Sequence, residues 1–76
     1  MNVLIIGGSG FIGKHLINNF CKQKNHKVYN ADLQSSKNFN VIGNYIGDIK
    51  DLKFIKKCID ETQPNLNAQN RILGIN

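Results

Sequence analysis

At 76 residues, 41% hydrophobic and 20% charged, the chain has the length of one small globular domain at most and not the composition of a disordered segment. Its formal charge is +5, but nine of the ten basic residues are scattered Lys and only Lys56 and Lys57 adjoin, unlike the clustered, Arg-bearing faces that grip nucleic acid. No apolar run is long enough to span a membrane and the first residues lack the basic flank of a secretory leader, so we expect no membrane partner and a cytoplasmic location.

In chain order, Asn2 to Ile6 reads as a strand apolar on both faces, the pattern of a central parallel strand. Phe11 to Lys24 reads as a helix: Ile12, Leu16 and Phe20 recur every four residues, beside Ile17 and Cys21. Lys27 to Ala31 is a second short strand, Leu33 to Asn40 a polar loop, and Asn44 to Gly47 a third strand. Asp51 to Thr62 forms a second helix, with Leu52, Ile55 and Ile59 on one face and Phe54 and Cys58 widening it; Pro64 closes it. The order strand, helix, strand, strand, helix opens a doubly wound α/β domain. Cys21 and Cys58 stand singly and His15 and His26 complete no ligand set, so reduced thiols and no metal are expected.

The stretch between the first strand and helix, GGSGFIG, satisfies three templates. Gly8, Gly10 and Gly13 fit G-x-G-x-x-G; Gly7, Gly10 and Gly13 fit G-x-x-G-x-x-G; Gly8, Gly13 and Lys14 fit the start of a P-loop. All three place a phosphate at the helix N-terminus, where free amides and the positive dipole end meet a backbone with no Cβ in the way. A P-loop needs Ser or Thr after the Lys to hold Mg²⁺, and His15 stands there, so that template is the weakest. Asp32 follows the second strand about twenty residues beyond the last glycine, where a carboxylate accepts hydrogen bonds from an adenosine ribose. Alone it reads as a turn residue; in this order of elements it favours a dinucleotide, and NAD over NADP, because its charge would repel a 2′-phosphate.

These residues resemble a known family. IIGGSGFIGKHL is similar to the N-terminal fingerprint of the extended short-chain dehydrogenases/reductases, the NAD-dependent nucleotide-sugar epimerases and dehydratases. YNADL resembles the acid after their second strand, and GDIKDLKFIKKCIDETQPN their G-D-I/V-x-D segment, next helix and following Pro. The resemblance implies a Rossmann-like parallel sheet, present here as its N-terminal portion, with residues 1–65 a partial NAD-binding domain and 66–76 a divergent or truncated tail. It implies that Gly7, Gly10 and Gly13 form the pyrophosphate turn with the Phe11 and Ile12 amides against the phosphates. It also implies that Asp32 takes the ribose, and that Asp48 and Ile49 meet the adenine. From the residues alone, Asp48 reads as the N-cap of the second helix, a role compatible with the adenine contact.

The resemblance stops after Pro64, where the family runs into an apolar fourth strand. Here Arg71 to Ile75 reads either as a displaced strand or as an echo of the family's next helix. The family's catalytic Tyr-x-x-x-Lys is absent: four residues beyond Tyr29 and Tyr45 stand Leu33 and Ile49. The chain by itself is therefore expected to bind a dinucleotide without turning over a nucleotide sugar, a substrate implied only for a longer native chain. The alternatives are a non-catalytic NAD-binding or interaction module, or an inactive remnant. Lacking a fourth strand, the first strand would be an exposed apolar edge open to an oligomer or partner.

Overall fold

The computed structural model describes residues 2–23 and 25–64, with the backbone of 71–74. Strand β1 (Asn2–Ile6) leads to helix α1 (Phe11–Cys21) and strand β2 (Lys27–Asp32). Strand β3 (Gly43–Ile46), helix α2 (Leu52–Thr62) and strand β4 (Arg71–Gly74) follow. All pairings are parallel and the sheet order is β3-β2-β1-β4. That is the order of the first four strands of a doubly wound dinucleotide fold, so the chain is an incomplete Rossmann-like α/β domain.

The core follows from the alternation of β1. Val3 and Ile5 face α1 and pack with Val28 and Ile17, flanked by Leu16, Phe20 and Cys21. Leu4 faces α2 and packs with Ala31 and Cys58, flanked by Phe54, Ile59 and two tyrosines, Tyr29 and Tyr45. A strand covered by a helix on each face must be apolar at every position, as VLII is.

The exposed-edge expectation for β1 is corrected. Beside β2, it pairs with β4 in the register Val3↔Arg71 to Ile6↔Gly74. A central apolar strand has amides and carbonyls on both sides to satisfy, and four residues of the tail suffice to do so. Of the two readings of the tail, the strand is the one found over Arg71–Gly74; Ile75 and residues 65–70 lie outside the described residues.

Several boundaries shift. Helix α1 ends at Cys21, three residues before the expected Lys24, because the apolar stripe ends there and only polar KQK follows. In its first turn Gly13 is buried but Phe11 is 80% and Ile12 59% exposed, so Ile12 does not share the buried stripe. Leu52 at the start of α2 is likewise exposed. Asp51 lies outside α2 as its N-cap, its Oδ1 accepting from Lys53 N at 3.0 Å. The helix ends where Gln63 turns left-handed at φ 49° before Pro64. Gly47 falls just outside β3, pressed against the Phe54 ring, whose Cδ1 would meet an added Cβ at 2.6 Å. Among the described residues no helix is long and apolar enough to cross a membrane.

Candidate dinucleotide site

The glycines of the turn have separate physical reasons. Gly7, at φ 83°, has a backbone that a side chain rarely adopts. At Gly13 a Cβ would strike the Gly7 carbonyl oxygen and lie 2.6 Å from Gly8 Cα, so this glycine lets α1 start close against the end of β1. At Gly8 a Cβ would strike the Asn30 side chain and the Ile17 methyl beneath. Gly10 differs from all three: its φ of −74° suits any residue, and the nearest atom to a Cβ there is Gly7 O at 3.6 Å. Among the described residues nothing requires Gly10 to be bare.

Gly10 is also the N-cap of α1. It supplies no side-chain hydrogen bond, and no acidic residue lies in the first turn. Neither the cap nor the first turn of α1 thus supplies a carboxylate to its free amides.

Asp32 stands at the carboxyl end of β2, half-buried, facing this turn. Its Oδ2 accepts from Ser9 N at 2.8 Å and its Oδ1 from Leu33 N at 2.6 Å. A carboxylate oxygen can accept more than once, so both remain able to receive a ligand hydroxyl. The backbone joins the same ends of the strands: Gly7 N donates to Ala31 O at 2.8 Å and Gly47 N to Asp32 O at 3.0 Å.

A cleft of about 360 Å³ opens here. Gly7, Gly10, Asp32 and Ile49 line it together, although 42 residues separate the first from the last. Ser9, Leu33 and Gln34 complete its wall and were not singled out by the sequence. Phe11, Ile12 and Gly13 belong to the first turn of α1 behind it. Asp48 is exposed and outside the lining; its Oδ1 accepts from Lys50 N at 2.9 Å. Its expected role as cap of α2 is corrected, since Asp51 does that work one turn nearer the helix. A second hollow, about 310 Å³, shares Ser9 and Gln34 with the first and is bordered by Lys14, Lys37 and the Ser35–Ser36 hydroxyls.

Residues 4–71 match the 3-beta hydroxysteroid dehydrogenase/isomerase family, and the chain belongs to it. With that, the resemblance to the extended short-chain dehydrogenases/reductases holds, and a dinucleotide is the cofactor class the family implies. The chain is also similar to the bifunctional polymyxin resistance protein ArnA of Wigglesworthia glossinidia brevipalpis, 41% identical over 66 residues. That match covers 74% of this chain but about a tenth of the relative's length (10%).

Proposed function

We propose that the cleft binds the adenosine and pyrophosphate of NAD. The turn from Gly7 to Gly13 takes the pyrophosphate, with the Phe11 and Ile12 amides donating to it. Asp32 accepts from the ribose hydroxyls, Ile49 packs against the adenine, and Asp48 beside it meets the adenine amino group. The observation that carries this reading is Gly10: a bare position that none of the described residues requires, at the uncapped end of α1 and opposite a carboxylate. Space for a close-approaching anion is what a missing Cβ there provides.

In the complete protein we assign this segment to an NAD-dependent epimerase or dehydratase acting on a nucleotide sugar. NAD supplies a hydride acceptor in such chemistry; the residues described here bind and orient its adenosine half. No Tyr-x-x-x-Lys lies within the 76 residues, so the acid/base step belongs to no group of this segment.

Asp32 favours NAD, whereas Lys14 and Lys37 in the neighbouring hollow are the groups that would receive a 2′-phosphate. Titrating the full chain with NAD and NADP by calorimetry tests this directly. We expect NAD to bind at least about tenfold more tightly, a difference of about 1.4 kcal/mol. Equal or tighter NADP binding would overturn the NAD assignment and implicate the lysine-lined hollow. Binding of neither would overturn the site itself.

A further inference from the structure

Beneath the glycine turn lies a polar side chain that the dinucleotide reading leaves unused. Asn30 is in the middle of β2, two residues beyond Val28 and on the same, α1-facing side of the sheet, and it is fully buried. A hydrophobic side chain would fill this inward position at no desolvation cost, so a buried amide here must be offset by what it holds.

Its Nδ2 lies 3.3 Å from Ser9 Oγ, 3.3 Å from Gln34 O and 3.2 Å from Asn44 Oδ1. One amide nitrogen thus contacts the glycine turn, the loop after β2 and strand β3. Two further bonds tie the same segments: Ser9 Oγ donates to Gln34 O at 2.7 Å, and Ser36 N, in the same loop as Gln34, donates to Asn44 Oδ1 at 2.8 Å. Ser9 is also the residue whose amide donates to Asp32 Oδ2. Asn30 Oδ1 has no hydrogen-bond partner among the described residues and borders the space where Gly8 lacks a Cβ. Gly8 and Asn30 therefore fit each other, and the bare Gly8 makes room for the amide.

We propose that Asn30 is a positioning residue of the cleft: it locks Ser9 and the Gln34–Ser36 loop to β3, and so fixes the spacing between the glycine turn and Asp32. For its ligand this inference rests on the dinucleotide reading; the network itself does not depend on it. Asn30 touches no ligand and acts through Ser9 and Gln34.

The test uses the full chain with Asn30→Leu, Ser9→Ala and the double variant. It reads NAD affinity, melting temperature and the hydrogen-exchange rates of the Ser9 and Ser36 amides. Asn30→Leu is expected to weaken NAD about tenfold and to lower the melting temperature, because the larger side chain crowds Gly8 and the buried network is cut. Exchange at Ser9 and Ser36 should speed up, and the double variant should bind little worse than Asn30→Leu alone, since both cut one network. NAD binding within twofold of the native protein, or fully additive losses, would overturn the proposal. If the native protein binds no NAD, the dinucleotide reading fails, and exchange then decides: faster at both amides supports the lock, unchanged rates overturn it. If Asn30→Leu does not fold, Asn44→Ala cuts the same network from an exposed position; weakened NAD binding supports the proposal and native affinity overturns it.

Discussion

The two helices of this domain begin in opposite ways. Helix α2 starts on Asp51, whose carboxylate accepts from Lys53 N, with Asp48 serving Lys50 N one turn earlier. Helix α1 starts on Gly10, which offers no side-chain acceptor; neither helix carries an acid in its first turn, so the N-cap residue is the difference. Both helices have eleven residues and each covers one face of β1, so scaffolding does not explain the difference. At α2 the Asp51 side chain satisfies one of the free N-terminal amides from within the chain. A helix left without such a cap, beside a bare glycine and at the carboxyl ends of the strands, is open to an external anion.

The largest change should come from filling the closest approach behind α1. Gly13→Val forces a side chain against the Gly7 and Gly8 backbone, which has no rotamer to yield. We expect about 3 kcal/mol of lost stability in urea denaturation. A native midpoint would show that α1 does not start so close to the end of β1.

Gly10→Asp makes the start of α1 like that of α2. The backbone already has cap geometry and room for a Cβ, so stability should stay within a few tenths of a kcal/mol of native or rise slightly. NAD affinity should fall about 100-fold, because the new carboxylate occupies and repels the pyrophosphate position. Retained affinity by calorimetry would remove the central support for the site.

The converse change, Asp51→Ala, should cost about 1 kcal/mol in thermal unfolding and leave NAD affinity unaltered. A loss of binding there would tie α2 to the ligand and blur the division between the two helices.

The smallest effect is on pH. Burial pushes the Cys58 thiol above its ordinary value, the Glu61 charge adding to it, while its backbone hydrogen bond and Lys57 act the other way. The folded chain then keeps a proton that the unfolded chain releases. Its stability contribution is complete below the unfolded thiol value and declines as pH rises through the folded one. Tyr45, raised by burial first and by Glu61 next, extends the decline to higher pH. Denaturation midpoints measured from neutral to alkaline pH should fall for the native chain and fall less steeply for Cys58→Ala. Equal slopes would show that Cys58 carries no share of it.

Much of this arrangement is local, and local features are written plainly in the chain. The glycine spacing, the apolar run before it, Asp32 after β2 and the four-residue stripe of α1 follow from backbone sterics and from strand and helix periods. The same logic overreached at Ile12 and Leu52, where apolar residues in helical register lie beyond the reach of the sheet and remain exposed. Asn30 was legible only as an oddity, a polar residue at the inward position of KVYNAD. Ser9, Leu33 and Gln34 gave no signal, since small and polar residues after a strand suit any loop.

The sequence by itself determined the kind and order of the first five elements and the glycine turn between β1 and α1, because those depend on neighbours a few residues apart. Tertiary structure alone decided that Arg71–Gly74 completes the sheet beside β1, since a parallel partner across 68 residues (Val3 to Arg71) leaves no periodic trace in so short a segment. It alone separated the glycines, making Gly13 a matter of packing, Gly8 a matter of room for Asn30, and Gly10 a matter of space left for something else. A missing Cβ looks the same in every glycine; what it makes room for depends on which distant atoms the fold brings next to it.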